Sequence, residues 1–330
     1  MAGNTYANVA QRTNTYAATV FLEHAEPQEV FAKFGDVKPM PKNKAESVKF
    51  RRSVPFPKLT VALAEGVTPS SRQMQFEDVT ATMQEWGDVV EATDRVRELS
   101  EDPVIKEASK NLGEQATETI EGVIFGVIVA GTQVGYTNGT TRLGLTTAIT
   151  LNKLHAAVRA LNSQRAKFIT EIMSSSVNYD TRAVEGGYVA FGHTDLEHDI
   201  RALAGFIPVA KYGTRKPLCP YELGSVENVR FIQSVNAVPF AAATTASTAG
   251  FMPAGTTSAN DVYPLIVIGR NAYAQVPLKG SKAVEMFVWT GGDKSDPLNQ
   301  RDVVGAKYWF TAVRLNENWM YRIECLATLL

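Results

Sequence analysis

The sequence predicts an α+β fold, with strands and helices interleaved through one large or two intertwined domains. Three observations carry the prediction. Residues 49–63 form a basic, strand-like run broken by prolines, and residues 73–90 form an acidic run in which apolar and polar positions alternate. Residues 103–131 hold a single long amphipathic helix pattern. The last third of the chain is a series of short apolar strand patterns separated by turns.

In the first run, Lys49-Phe50-Arg51-Arg52-Ser53-Val54-Pro55-Phe56, prolines interrupt a pattern that continues through Lys58-Leu59-Thr60-Val61-Ala62-Leu63. Central strands do not tolerate proline, so this limb reads as an edge or projecting arm. Glu65-Gly66-Val67-Thr68-Pro69-Ser70-Ser71 is turn chemistry. The return limb reads as one half-buried strand across 73–90. A hairpin this long has little to pack on in its own chain and is suited to serve a neighbour.

The helix follows. Asp102 suits the N-cap and Pro103 the first helical position, where its missing N–H costs nothing. Ile105, Ala108, Leu112, Ala116, Ile120, Val123 and Val127 recur at three- and four-residue steps. Lys106, Glu107, Lys110, Glu114, Glu118 and Glu121 fill the other face, and Gly131 supplies a stop. At 1.5 Å per residue the span is roughly 40 Å, long enough for a structural spine.

Beyond a turn at Thr137-Asn138-Gly139-Thr140, a second helix is expected over 147–161. Tyr188-Val189-Ala190-Phe191 reads as a strand leading into a helix through Leu196, Ile200 and Leu203, and 229–234 as a further strand. Residues 237–260 are dominated by Ala, Thr, Ser and Gly, too small to build a core, and read as a surface loop. A buried strand at 262–269 is expected to lead into a short helix at 271–276, with closing strands at 284–289, 307–315 and 319–326. There is no internal repeat and no clean linker.

Composition bounds the function. With 330 residues, 45% hydrophobic and 20% charged, the chain can bury a large core. Its most apolar stretch, 122–130, is too short for a bilayer, and Met1-Ala2-Gly3-Asn4-Thr5-Tyr6 has neither the charged start nor the apolar core of a signal peptide. Synthesis and assembly in a cytoplasm, away from membranes, are therefore expected. Cys219 and Cys325 lack metal spacing and read as free buried thiols in a reducing compartment. Charge is uneven: residues 1–60 carry nine Lys and Arg against five acids, whereas 65–121 carry fourteen acids against five bases. Two solvated faces would explain this; so would a basic arm of one copy lying on the acidic limb or helix of another. No dense basic patch with interleaved aromatics marks nucleic-acid binding as the main activity, and any contact with DNA is expected to be weak and peripheral.

Catalytic motifs are missing: no phosphate loop, nucleophile elbow, zincin helix or dinucleotide fingerprint occurs. Of His24, His155, His193 and His198, two fall in the cluster Gly192-His193-Thr194-Asp195-Leu196-Glu197-His198-Asp199. A metal site would need these groups to converge; the simpler reading has Thr194 or Asp195 capping a helix with an acidic first turn. Gly291-Gly292-Asp293-Lys294-Ser295-Asp296-Pro297 reads as a turn and not an anion loop, because no matching helix start follows.

The ordered motifs resemble one family. Val48-Lys49-Phe50-Arg51-Arg52, Leu63-Ala64-Glu65-Gly66-Val67-Thr68-Pro69, Asp78-Val79-Thr80-Ala81-Thr82 with Trp86-Gly87-Asp88 and Thr93-Asp94, and Asp102-Pro103 with its helix are similar to passages of major capsid proteins of tailed bacteriophages, of the N4-like kind, with the Hong Kong 97 type fold. Asp261-Val262-Tyr263-Pro264 with Gly269 and Ala272-Tyr273, and Asp296-Pro297-Leu298-Asn299-Gln300 before Gly305-Ala306-Lys307, continue the resemblance. It implies an N-terminal arm (1–46), an extended hairpin loop (47–93), a peripheral domain with the spine helix (94–140, completed by 281–330) and a mainly axial domain (141–280). It also implies self-association as hexamers and pentamers in a virion shell around double-stranded DNA, assembled in the host bacterial cytoplasm. Portal and scaffolding proteins, and a decoration protein, are the implied partners. Lys49, Arg51, Arg52, Leu63, Phe76, Trp86 and Asp88 are the expected inter-subunit contacts, with Arg51 and Arg52 meeting a neighbour's acids and Val61, Leu63 and Phe76 becoming buried. No catalytic, cofactor or metal residue is expected. The alternatives are a tail component or a metal-dependent enzyme built on the histidine cluster.

Overall fold

The computed structural model describes residues 29–62, 65–66, 68, 70–99, 104–173, 181–213, 216–245, 247–253, 259–279, 284–289 and 300–330. The expected N-cap at Asp102 and Pro103, Leu63, and the turn at 291–297 lie outside them.

The strands of the first half are β1 (Asp36–Val37), β2 (Met40–Pro41), β3 (Ser47–Ser53), β4 (Phe76–Thr82), β5 (Gln84–Thr93) and β6 (Val134–Tyr136). Between the last two lie helices α1 (Asp94–Leu99) and α2 (Val104–Val129). Helix α3 (Leu151–Ser163) is followed by β7 (Ile169–Met173), β8 (Thr181–Gly192), the short α4 (Glu197–Arg201), β9 (Phe206–Pro208), β10 (Glu222–Val226) and β11 (Val229–Gln233). The chain closes with β12 (Tyr263–Ile268), β13 (Tyr273–Lys279), β14 (Glu285–Trp289), β15 (Arg301–Arg314) and β16 (Met320–Cys325).

These strands make two sheets and a separate ribbon. The six-stranded sheet runs β1-β13-β15-β14, with β2 also on β13 and β5 also on β15. The eight-stranded sheet runs β6-β16-β12-β8-β11-β10-β9, with β7 on β8. Strands β3 and β4 form the ribbon. Sequence neighbours are shared out between the sheets: β12 and β16 belong to one, β13 and β15 to the other.

The period of two in β8 and β12 explains how the larger sheet is buried on both sides. Tyr188, Ala190, Tyr263, Leu265 and Val267 pack on Leu154, Ala157 and Leu161 of α3. The alternate residues Val189, Phe191, Ile266 and Ile268 pack on Ile124, Phe125 and Ile128 of α2, together with Tyr308 and Phe310 of the smaller sheet. Helix α2 thus lies in a core that both sheets supply. Its 26 residues span about 39 Å. At its C-terminus, where carbonyls lack partners and the dipole is negative, Arg322 donates to the Val129 and Gly131 carbonyls and Arg314 to the Val127 carbonyl.

Three expectations are corrected. Residues 271–276 are not helical: Asn271 turns the chain in a left-handed conformation and β13 begins at Tyr273, paired antiparallel to β15. Tyr273, Ala274 and Val276 are buried there, so the tertiary sheet overrides the local pattern. The return limb is not one strand; it breaks at the buried Met83, with β4 in the ribbon and β5 crossing to β15. Helix α2 does not keep the expected stripe: Glu121, assigned to its polar face, is wholly buried.

Candidate assembly interface

The ribbon gives the candidate site its shape. Strands β3 and β4 pair from Ser47↔Thr82 to Ser53↔Phe76, and one further bond, from the Val54 N–H to the Gln75 carbonyl, ends the ladder. Pro55 and Pro57 follow and can donate nothing, so the expected strand over 58–62 does not form. Among the described residues, the apolar side chains at and past the end of the ladder are uncovered: Leu59 is 76% and Val61 82% exposed, and Phe56, Met74 and Phe76 are also exposed.

The register places Arg51 opposite Asp78 and Arg52 opposite Glu77. Arg51 donates Nε to Asp78 Oδ1 at 2.8 Å and Nη2 to Oδ2 at 3.0 Å, Lys49 lies 3.6 Å from the same carboxylate, and Arg52 Nε meets Glu77 Oε2 at 2.7 Å. The guanidinium of Arg51 holds the Asp78 carboxyl below its ordinary value. Each of these arginines thus has an acid of its own ribbon directly across the ladder. They tie the two strands of the ribbon together across the ladder.

At the base of the ribbon, β5, β15 and α2 enclose a pocket of about 240 Å³, lined by Trp86, Asp88, Gln115, Thr119, Ala306 and Tyr308. The half-buried Trp86 donates its indole N–H to the Phe310 carbonyl at 3.3 Å. Asp88 accepts from Gln115 Nε2 at 2.9 Å and from the Val89 N–H at 2.8 Å, and these two bonds hold its carboxyl below the usual range. Gly87 lets β5 approach β15, because a Cβ there would lie 2.7 Å from the Ala306 carbonyl oxygen. Of the expected contact residues, Trp86 and Asp88 come together in this pocket, while Lys49, Arg51, Arg52 and Phe76 lie on the ribbon.

The histidine cluster has other employment. His193 Nδ1 accepts from the Asp195 N–H at 3.2 Å, so the cap is His193 and not Thr194 or Asp195. Asp195 accepts from the Tyr263 hydroxyl at 2.8 Å, and Asp199 from the Thr328 N–H at 2.9 Å and its hydroxyl. No group of three or more His, Cys, Asp or Glu is arranged to hold a metal among the described residues. No helix among them is long and apolar enough to cross a membrane.

Sequence periodicity missed one anchor. The buried Glu121 carboxylate accepts three successive backbone N–H groups, from Val30, Phe31 and Ala32, at 3.1, 2.8 and 2.9 Å. Tyr273 and Gln275 donate to the Phe31 and Ala32 carbonyls, which fixes the end of the N-terminal segment on α2 and β13. The legible signal was an acid directly preceding the apolar run 122–130.

Comparison with known proteins accords with this architecture. The family described as phage capsid protein matches residues 77–323. The chain belongs to that family, and it is a structural protein of the virion head shell. In fold it is similar to the capsid of Ralstonia phage GP4, at 14% identity with 99% of both chains covered and a TM-score of 0.69. It is also similar to the capsid of cyanophage P-SCSP1u, at 11% identity, 97% and 96% coverage and a TM-score of 0.61. The head structure of Helicobacter pylori bacteriophage KHP40 gives 13% identity, 97% and 99% coverage and a TM-score of 0.60. No curated protein matches the sequence.

Proposed function

We propose that copies of this chain assemble as hexamers and pentamers into a closed icosahedral head shell around double-stranded DNA, in an N4-like, Hong Kong 97 type arrangement. The observation that carries the reading is the projecting ribbon, whose apolar far end is uncovered among the described residues. A second copy supplies that cover, and each of these side chains gains about 1.5–3 kcal/mol when fully buried. Repetition around a closed shell makes modest contacts collectively stable. The six-stranded sheet with α2 is assigned as the peripheral domain and the eight-stranded sheet as the axial domain, with β13 counted in the first and β6 and β16 in the second. The pocket beside Trp86 and Asp88 is assigned to the inter-subunit contact. Portal and scaffolding proteins complete the assembly in the host cytoplasm.

Expression of the chain, alone and with its neighbouring genes, followed by negative-stain electron microscopy tests this. Closed polyhedral particles or flat hexameric arrays are expected. Monomers under every condition would overturn the proposal, and tubes or open rings would transfer the chain to a tail component.

A further inference from the structure

The charges that shell assembly leaves unused lie around α3. Between Gly122 and Thr170 the sequence holds no Asp or Glu and five Lys or Arg. One of the five, Arg142, is taken by the buried Glu324 through two hydrogen bonds of 2.6 and 2.7 Å. The other four, Lys153, Arg159, Arg165 and Lys167, form no ion pair among the described residues.

The helix presents them outward. Asn152, His155, Ala156, Arg159 and Ser163 recur at helical spacing and are all exposed, because Leu154, Ala157 and Leu161 occupy the opposite face in the core. Lys153 flanks this stripe, half-buried, and Arg165 and Lys167 are exposed in the exit turn. The helix end does not consume them, since the backbone N–H of Gln164 caps it. Among the described residues, Glu227 faces His155 of the stripe at 2.9 Å. Elsewhere the balance differs: the ribbon's Lys49, Arg51 and Arg52 are paired, and the outward side of α2 shows Glu107 and Glu118.

We infer that α3 and its exit turn form a contact surface for the phosphate backbone of duplex DNA. The inference rests on the head-shell reading, which puts a duplex against one side of the shell. From Lys153 to Ser163 the helix rises about 15 Å, a length along which a duplex presents on the order of nine phosphates. Asn152, Asn162 and Gln164, all exposed, add neutral donors of the kind that position a backbone without reading sequence. No element here enters a groove, so binding is independent of sequence and strongly salt-dependent.

Fluorescence anisotropy of a labelled random-sequence duplex, titrated with the full chain across a sodium chloride series, tests this. Each phosphate contact contributes about 0.9 to the slope of log affinity against log salt. The combined variant K153Q/R159Q/R165Q/K167Q is expected to lose about 3 to 4 from the wild-type slope. R159Q alone is expected to lose about 1, which keeps the test open should the combined variant not fold. K38Q/K44Q, which removes two exposed lysines elsewhere, is expected to retain the wild-type slope. Unchanged slopes in both α3 variants, or an equal loss in the control, would overturn the inference. Loss of particles from the α3 variants with duplex binding retained would also overturn it and assign the surface to a second copy. Negative-stain imaging of the wild type scores the shell reading separately: duplex binding without particles defeats that reading alone.

Discussion

Glu121 concentrates two opposing effects at one carboxylate. Burial raises its pKa, the three N–H donors pull it down, and burial wins. A folded pKa above the unfolded one contributes stability that is fully present below the unfolded value and is lost as pH rises through the folded value. Thermal or denaturant unfolding across that window should therefore show the wild type losing stability with rising pH relative to E121Q; parallel curves would refute the assignment. E121A at neutral pH is expected to cost about 3 kcal/mol or more, because buried N–H groups then lose their acceptor at about 1–3 kcal/mol each. The sequence hides this residue for a plain reason. A periodicity argument assigns every charged position to the solvent face, and only the partner segment at Val30 to Ala32, some ninety positions away, explains why an acid belongs inside. The cap at His193 was legible only as a location, since Thr194 and Asp195 are better cap formers by type and lose the position to geometry.

Among the elements, α2 was the most readable, because a long run of three- and four-residue spacing has few competing interpretations. Its last carbonyls nevertheless depend on arginines almost two hundred positions further on. R322A removes two of those bonds and one partner of the buried Glu324, reached at 2.9 Å. A loss of about 3 kcal/mol or more in denaturant unfolding is expected; a change below about 0.5 kcal/mol, as for an ordinary surface site, would exclude the capping role. The ribbon was legible from its alternation and its prolines, but its pairing was not. Alternation fixes which positions share a face and leaves the partner strand open, so the match of Arg51 with Asp78 and Arg52 with Glu77 emerged only from the register. R51E/R52E would set four acids against one another across the ladder. Particle yield by negative stain should fall while circular dichroism remains near wild type; normal particles would remove the ribbon charges from the assembly argument. The strand β13 was unreadable for the opposite reason: its residues suit more than one element, and only β15 alongside decides.

At the scale of the whole molecule, the family and the α+β class followed from sequence order, whereas the division into two sheets did not. The chain passes between the sheets several times, so no composition boundary marks the exchange. The shared core around Phe31, Phe125 and Phe191, whose rings lie 5.0 to 5.3 Å apart, ties both sheets to one helix. Against that stiff body the break at Met83 acquires a mechanical meaning. Strand β5 is clamped along its length to β15, and β4 leaves it after a single residue, but Val48, Phe50 and Ala81 still pack with Met40, Met83 and Val276, so the near half of the ribbon is tied to the sheet and only its far half projects as a lever. From Phe50 to Ser53 the ladder reaches about 10 Å further, so a rotation of about 10° there sweeps its end through about 2 Å. Small changes of two backbone dihedrals at one position are thus geared up along the ladder into larger displacements of its exposed apolar end.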